Sequence, residues 1–167
     1  MSASAMSPFY MVLAALATLA WGGNIPAIKL GLQEMSPFLF LSLRFLGLLI
    51  LMLPWLRWRP GRMRDLLVVA LLLGPLHFGV LFVGMDLIAD ASVVAVLSQL
   101  TVPFSTILGV TLLGERIGIW RTGGIVLAFL GVVVMMFEPR VFGDTPGVAL
   151  VVFSAFAYAL AAVRIRR

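Results

Sequence analysis

Residues 92–136 read SVVAVLSQLTVPFSTILGVTLLGERIGIWRTGGIVLAFLGVVVMM, two long apolar runs joined by a short charged turn. The first run, residues 92–113, has 22 residues without a charge. That length corresponds to about 33 Å of α-helix, which is enough to cross the hydrocarbon core of a bilayer. The turn at residues 114–116 carries a glutamate and an arginine. The pattern predicts two consecutive transmembrane helices of opposite direction.

The first of these helices carries a proline and a polar stripe. Pro103 lies near its centre and has no N–H to donate to the carbonyl of Gln99, so we expect a kink and a carbonyl that is free for another partner. Ser98, Thr101 and Ser105 follow one another at i, i+3 and i+7, which places them on one helix face beside Gln99. In a membrane, such a face requires water, a ligand or another helix.

The second helix carries small residues along one face. Gly124, Ala128 and Gly131 recur at i, i+4 and i+7, and small side chains at this spacing allow another helix to approach closely in lipid. We therefore expect this face to pack against a neighbouring helix. The charged residues of the preceding turn, Glu115 and Arg116, are interpreted as a structural ion pair at a helix end near the membrane interface.

The composition indicates a membrane protein. Of the 167 residues, 62% are hydrophobic and 11% charged, against about a quarter charged in a typical soluble domain, and the mean hydropathy is +1.14. A soluble fold is therefore excluded. The lack of cysteine excludes disulfides and thiolate chemistry, and one histidine cannot form a His-only metal site, so we expect no cofactor and no metal. The net charge of +5 comes from arginines between apolar runs, which argues against nucleic acid as a partner.

Six apolar runs account for almost the whole chain. We predict an all-α polytopic membrane helix bundle surrounded by the lipid bilayer, with transmembrane helices at about residues 8–28, 36–55, 66–87, 92–113, 119–137 and 145–163. The first charged residue is Lys29, so a cleaved signal peptide is not expected. With a cytoplasmic N-terminus, nine arginines fall in cytoplasmic segments, and only Lys29 and Arg140 fall outside. The positive-inside rule then predicts that both termini are cytoplasmic.

Polar and helix-breaking residues also occur within the first apolar run. Trp21, Asn24 and Pro26 lie close together beside two glycines, and we expect the helix to be broken or kinked there. Lys29 shares a helix face with Trp21. Taken alone, it fits a lysine that snorkels to the interface as well as it fits a functional residue.

The second and third runs each contain one polar residue that is unusual at membrane depth. Arg44 is embedded in the second run, where an arginine generally faces a cavity or a partner, with snorkelling as the alternative. His77, the only histidine, lies in the third run two residues after Pro75. A single membrane histidine is more often hydrogen-bonded structure than a proton relay, but His77 is the best titratable candidate at depth. Pro75, like Pro26 and Pro103, is expected to kink its helix.

Two motifs resemble the EamA-type family of drug/metabolite transporters. One is the mid-helix Pro103 followed by LGER at residues 113–116, GGI at 123–125 and LGVVVM at 130–135. The other is WGGNIPAIKLGL at residues 21–32, with a proline and an arginine in the next helix. The resemblance implies a fold of ten helices in two five-helix repeats.

This chain would cover about half of such a transporter. Residues 1–140 are expected to form the first repeat, and residues 141–167 the first helix of a second, truncated repeat. The last helix is weakly similar to the first, and the odd number of helices between them gives the two copies opposite directions through the membrane, as in inverted-repeat transporters. The missing second repeat or a partner subunit would complete the transporter.

The resemblance implies export of small metabolites, amino acids or related compounds, by alternating access, in the bacterial cytoplasmic (inner) membrane. The substrate cavity is expected to be lined by Trp21, Asn24, Arg44, His77, Ser98, Gln99 and Thr101. Amide, hydroxyl and aromatic groups suit a zwitterion, so we hypothesise a neutral amino acid as the substrate. All seven acidic residues fall at helix ends or in loops, which leaves the coupling ion open.

Two other interpretations fit the sequence. The chain could be a truncated, non-transporting membrane fragment, or a half-transporter that needs a partner. A remote alternative is an intramembrane serine hydrolase that pairs Ser98 or Ser105 with His77, but no G-x-S-x-G motif surrounds either serine. We therefore expect no catalytic residues and no enzymatic activity.

Overall fold

The computed structural model describes residues 7–57, 60–138, 141 and 143–166, and all regular secondary structure in these residues is helical. Six segments are long and apolar enough to cross a membrane, which confirms the predicted all-α bundle. We number them as the first to sixth spans: Phe9–Glu34, Pro37–Trp55, Met63–Leu87, Ala91–Leu113, Ile119–Met136 and Thr145–Ile165.

The first span is one continuous α-helix, Pro8–Glu34, which runs through Pro26. The helix is therefore not broken at this proline, and it continues past the predicted end at residue 28. The predicted kink at Pro26 stays a prediction. A proline removes a single backbone hydrogen bond, whereas every other backbone group in lipid still has to be paired within its own segment. The second span consists of the α-helix Pro37–Met52 and the short 3₁₀-helix Leu53–Trp55.

The third span changes its helix type in the middle. It begins as the α-helix Met63–Leu71, widens to a π-helix over Leu72–Gly79, and ends as the α-helix Val80–Leu87. Pro75 lies inside the π-helical segment. A proline cannot pair with the carbonyl four residues earlier and presses on it, and a wider turn relieves that contact. A π-helical segment thus accommodates Pro75, and the predicted kink there stays a prediction.

The fourth span is divided into two α-helices, Ala91–Ser98 and Thr101–Leu113. The division falls just before Pro103, at the point where its missing N–H would have paired with the Gln99 carbonyl. The chain tightens there instead, and the Val102 N–H donates to the Gln99 carbonyl at 3.0 Å. The carbonyl that Pro103 leaves unpaired thus has another partner within the same span, and its availability to a ligand stays a prediction.

The fifth and sixth spans are the single helices Ile119–Met136 and Thr145–Ile165. The sixth is the most enclosed span, and it packs against the third and fourth spans. Its backbone meets that of the third span at two glycines: a Cβ added to Gly84 would lie 3.0 Å from the Gly147 carbonyl oxygen, and one added to Gly147 would lie 3.0 Å from that of Gly84. Small residues allow this close contact, which joins helices in lipid.

Candidate functional site

Five polar contacts define the two ends of the bundle. At one end, Arg166 pairs with Glu115 at 3.1 Å, and Arg164 lies 3.7 Å from Asp65. We call this the arginine-rich end. These pairs bring the end of the sixth span to the beginning of the third and to the turn after the fourth. Successive spans therefore run in opposite directions.

At the opposite end, the loop between the third and fourth spans is bound from two sides. The Lys29 ammonium of the first span donates to the carbonyls of Met85 and Ile88, at 2.7 Å for Met85. The last carbonyls of a helix have no partner within it, and a cation stabilises them. The Ala89 N–H donates to the Asp144 carboxylate at 2.9 Å. Lys29 is therefore half-buried and bound to carbonyls at the end of the third span.

Apolar side chains close this opposite end, which we call the sealed end. Its core consists of side chains that are each at most 9% exposed: Ile28, Leu32, Ile88, Val93 and Val148. They come from the first, fourth and sixth spans and from Ile88, the residue that follows the third span, and belong to one hydrophobic cluster. The contacts of Lys29 and Asp144 lie beside this cluster. Together they join four spans at the sealed end.

A cavity of about 1370 Å³ occupies the rest of the space between the spans. All six spans contribute to its wall. It extends to the arginine-rich end, where Glu115, Arg121 and Arg166 line it, and it stops before the sealed end at Ile25 and Met85. The wall of the cavity thus reaches the arginine-rich end and stops short of the sealed end.

The structure brings together all seven residues predicted to line a substrate cavity. Each of them lines this one space: Trp21, Asn24, Arg44, His77, Ser98, Gln99 and Thr101. Sequence reasoning missed Arg121 and Tyr158, which also line it. Helix periodicity carried a signal for Arg121, because it precedes Gly124 by three residues on the same face of the fifth span. That these residues contact a substrate stays a prediction.

His77 has a defined tautomer. Its Nδ1 lies 2.9 Å from the carbonyl oxygen of Ser154, and because a carbonyl only accepts, Nδ1 carries the proton and donates. In the neutral ring, Nε2 is then an acceptor. The ring is buried between Phe78, at 4.6 Å between ring centres, and Tyr158, at 4.9 Å. The π-helical segment thus positions a fixed hydrogen-bond acceptor at the cavity wall.

Arg44 lies over two aromatic rings of the third span. Its Cζ is 5.7 Å from the centre of the Phe78 ring and 5.8 Å from that of Phe82, which is cation–π geometry. The ion pairs within the described residues involve Arg164 and Arg166 and leave Arg44 without a carboxylate partner. Its guanidinium is therefore held in place by aromatic faces, and its charge is not neutralised by the chain's own acidic groups.

The hydroxyl groups of the fourth span are bound to the backbone. Ser98 Oγ donates to the Val94 carbonyl at 2.8 Å, and Thr101 Oγ1 donates to the Ser98 carbonyl at 2.7 Å. Their oxygens can still accept hydrogen bonds from a ligand. Because Ser98 donates to Val94, and His77 Nδ1 donates to Ser154, the Ser98–His77 pair of the hydrolase hypothesis is not formed.

Two structural predictions for the second half of the chain have different outcomes. Glu115 pairs with Arg166 and not with the adjacent Arg116, because the chain reverses at Gly114 (φ 70°) and the Glu115 carboxylate folds back over Gly109. Gly124 and Gly131 are exposed, and a Cβ added to either would meet nothing within 4 Å. Within the described residues, these two glycines make no close helix contact.

Ala128 lies between those glycines on the same face and lines the cavity with Gly124. The predicted helix-packing role of this face stays a prediction, and it would concern a helix that the described residues do not supply.

Comparison with known proteins connects this geometry to a family. The EamA-like transporter family matches residues 8–137. A probable amino-acid metabolite efflux pump of Escherichia coli is 30% identical over 125 residues, which are 75% of this chain and 42% of that protein. An uncharacterized transporter of Archaeoglobus fulgidus is 32% identical over 158 residues, which are 89% of this chain and 54% of that protein.

A further uncharacterized transporter, from Bacillus subtilis, is 28% identical over 121 residues, which are 68% of this chain and 41% of that protein. The chain thus spans about half the length of the curated relatives it matches, and no solved structure matches it. The family match covers most of the chain and all of the first five spans, and the chain is an integral membrane protein that belongs to the EamA-like transporter family.

Proposed function

We propose that the chain forms one half of an alternating-access exporter of small metabolites, amino acids and related compounds. The observation that carries this proposal is a cavity whose wall reaches the arginine-rich end and stops short of the buried apolar cluster at the sealed end. Alternating access requires a binding space that opens to one side of the membrane at a time. The described state corresponds to the one in which substrate enters.

The arginines support an orientation for this state. Arg57, Arg62, Arg116 and Arg164 all belong to the arginine-rich end, and positively charged segments are retained in the cytoplasm. We therefore infer that both termini are cytoplasmic, that the cavity opens to the cytoplasm of a bacterial inner membrane, and that a conformational change releases substrate at the sealed end. Loading from the cytoplasm is the direction that export requires.

The substrate class is inferred from the cavity wall and from the relatives. The relative of Escherichia coli bears the name of an amino-acid metabolite efflux pump. The wall offers an amide at Asn24 and another at Gln99, an acceptor at His77 and an aromatic ring at Trp21. Few polar groups on a mostly apolar wall are typical of a small-molecule site. These groups can hydrogen-bond a compound of amino-acid size.

Counterflow in proteoliposomes tests the proposal. Vesicles loaded with an unlabelled amino-acid mixture should take up a radiolabelled amino acid from outside faster than empty vesicles do. Three samples are compared: the chain alone, the chain coexpressed with the C-terminal half of a relative, and that half alone. Exchange in the second sample only would identify a half-transporter that needs a partner. If no sample exchanges, the transport proposal is wrong.

Two observations favour the half-transporter. The Gly124 and Gly131 face of the fifth span is open, and the chain spans about half the length of its relatives. A second set of helices has room to pack on that face. In that case, coexpression should restore exchange, and Gly131→Leu, on the same face but outside the cavity wall, should abolish the restored activity while leaving the yield of the chain unchanged.

A further inference from the structure

The cavity wall carries an excess of positive charge. Its arginines are Arg44, Arg121 and Arg166, and its one carboxylate is Glu115. Glu115 is already paired with Arg166 at 3.1 Å. The charges of Arg44 and Arg121 are therefore not balanced by acidic groups of the wall. In a space with apolar walls, where charges interact more strongly than in water, this excess attracts anions.

Of the two unbalanced arginines, Arg44 has the surroundings of a binding group. It lies near the middle of the second span, and the faces of Phe78 and Phe82 orient it through contacts of 5.7 and 5.8 Å. Aromatic faces leave the N–H edge of a guanidinium available, and that edge matches the two oxygens of a carboxylate. Arg121 lies closer to the arginine-rich end, on the path from that end into the cavity.

The wall offers fewer favourable contacts to a substrate ammonium than to a carboxylate. The Glu115 carboxylate is used by Arg166, so an ammonium would find neutral acceptors only, such as His77 Nε2 and the Ser98 hydroxyl oxygen. Hydrogen bonds between two charged groups are about twice as strong as neutral ones. A second negative charge is therefore favoured over a positive one at the same place on the ligand.

We propose that this cavity selects organic anions: small carboxylates with a net negative charge, with a carboxylate bound by Arg44 and its entry favoured by Arg121. The inference rests on the proposed function and narrows its substrate class from the neutral amino acid that the sequence suggested to acidic amino acids and related carboxylates. Zwitterions bind more weakly, and cations bind least.

Equilibrium dialysis of the purified chain in nanodiscs tests the selectivity with four radiolabelled probes of equal carbon number. At neutral pH and constant ionic strength, glutarate, glutamate, norvaline and ornithine differ mainly in net charge, from dianion to cation. We expect affinity to fall in that order, with glutamate bound about tenfold or more tightly than norvaline, as one additional charge-assisted contact provides.

Variants assign the preference to Arg44. Arg44→Gln should reduce the ratio of glutamate to norvaline affinity about tenfold, Arg44→Lys should retain part of it, and Arg121→Gln should reduce it less. Arg57→Gln is the matched control, because Arg57 is an exposed arginine of the same end that does not line the cavity. If Arg44→Gln fails to fold, Arg121→Gln still reports on the charge of the wall, and Arg44→Lys reports on the two-point geometry of the guanidinium.

The inference is overturned if norvaline or ornithine binds as tightly as glutamate, if none of the four probes binds, or if Arg44→Gln and Arg57→Gln change the ratio equally. These outcomes are separable from failure of the proposed function. Counterflow that prefers norvaline would overturn the charge selectivity and leave transport standing. The expected binding order without any counterflow would leave the site standing and overturn transport.

Discussion

Replacing Lys29 with methionine removes the contacts that tie the first span to the third at the sealed end. The ammonium donates to the carbonyls of Met85 and Ile88, which are 56 and 59 residues away in the sequence. Methionine keeps an unbranched apolar chain of similar length, so the packing of the lysine stem is largely retained. What the substitution removes is the charge and its hydrogen bonds. We expect the sealed end to open more often.

The size of the effect follows from these contacts. A hydrogen bond that involves a charged group contributes about 1.5–3 kcal/mol. Here one ammonium serves both carbonyls, and Lys29 is only half-buried, so we take a total of about 2 kcal/mol, near the low end of that range. At about 1.4 kcal/mol per factor of ten, the opening equilibrium shifts by roughly 30-fold.

Hydrogen–deuterium exchange of the chain in nanodiscs measures this opening. Backbone amides of residues 86–94 should exchange about 30-fold faster in Lys29→Met if exchange follows the local opening equilibrium. Lys29→Arg, which keeps a donor and a positive charge, should stay closer to the unsubstituted protein. Residues 154–163 of the sixth span report on the rest of the bundle. Unchanged exchange at residues 86–94, or an equal increase at residues 154–163, would refute a local closing role for Lys29.

Two further substitutions test the packing. Gly147→Val should destabilise the bundle by about 1–3 kcal/mol, as overpacking does, because a Cβ at Gly147 would lie 2.7 Å from Ile88 Cγ1. The control is Gly123→Ala, where a Cβ meets nothing within 4 Å, and it should leave the melting temperature in detergent unchanged within error. Equal losses of melting temperature in the two variants would contradict the close packing of the third and sixth spans. Pro103→Ala restores an N–H for the Gln99 carbonyl, so the fourth span should become one continuous helix. Amide hydrogen exchange at residues 99–103 should then slow, and unchanged exchange there would show that the proline does not cause the division.

The spans were predictable from the sequence because the signal is local. A run such as residues 92–113 is uncharged over a membrane-crossing length. In lipid, such a segment forms a helix because its backbone groups must be hydrogen-bonded within the segment. The seven predicted cavity residues share one space for a related reason. Polar side chains such as Asn24 and Gln99 on apolar helices are costly in lipid, so they face the interior.

The details that were missed depend on contacts distant in sequence or on how a proline is accommodated. Nothing near Lys29 indicates that its partners are carbonyls of the third span. Pro26, Pro75 and Pro103 carry the same local signal, yet the first lies in a continuous α-helix, the second in a π-helix and the third just after a division between two helices. How each proline is accommodated depends on contacts with the neighbouring spans, and these contacts cannot be derived from a single sequence.

Labelling of single cysteines tests whether the cavity is reached from one end only, as the proposed function requires. The chain has no cysteine of its own, so a cysteine introduced at Gln99 is the only thiol. Ile119→Cys and Glu34→Cys, at exposed positions of the arginine-rich and the opposite end, report which side of a vesicle a membrane-impermeant maleimide reaches. We predict that Gln99→Cys reacts only from the side that labels Ile119→Cys. Reaction of Gln99→Cys from the side that labels Glu34→Cys, or equally from both sides, would contradict the account.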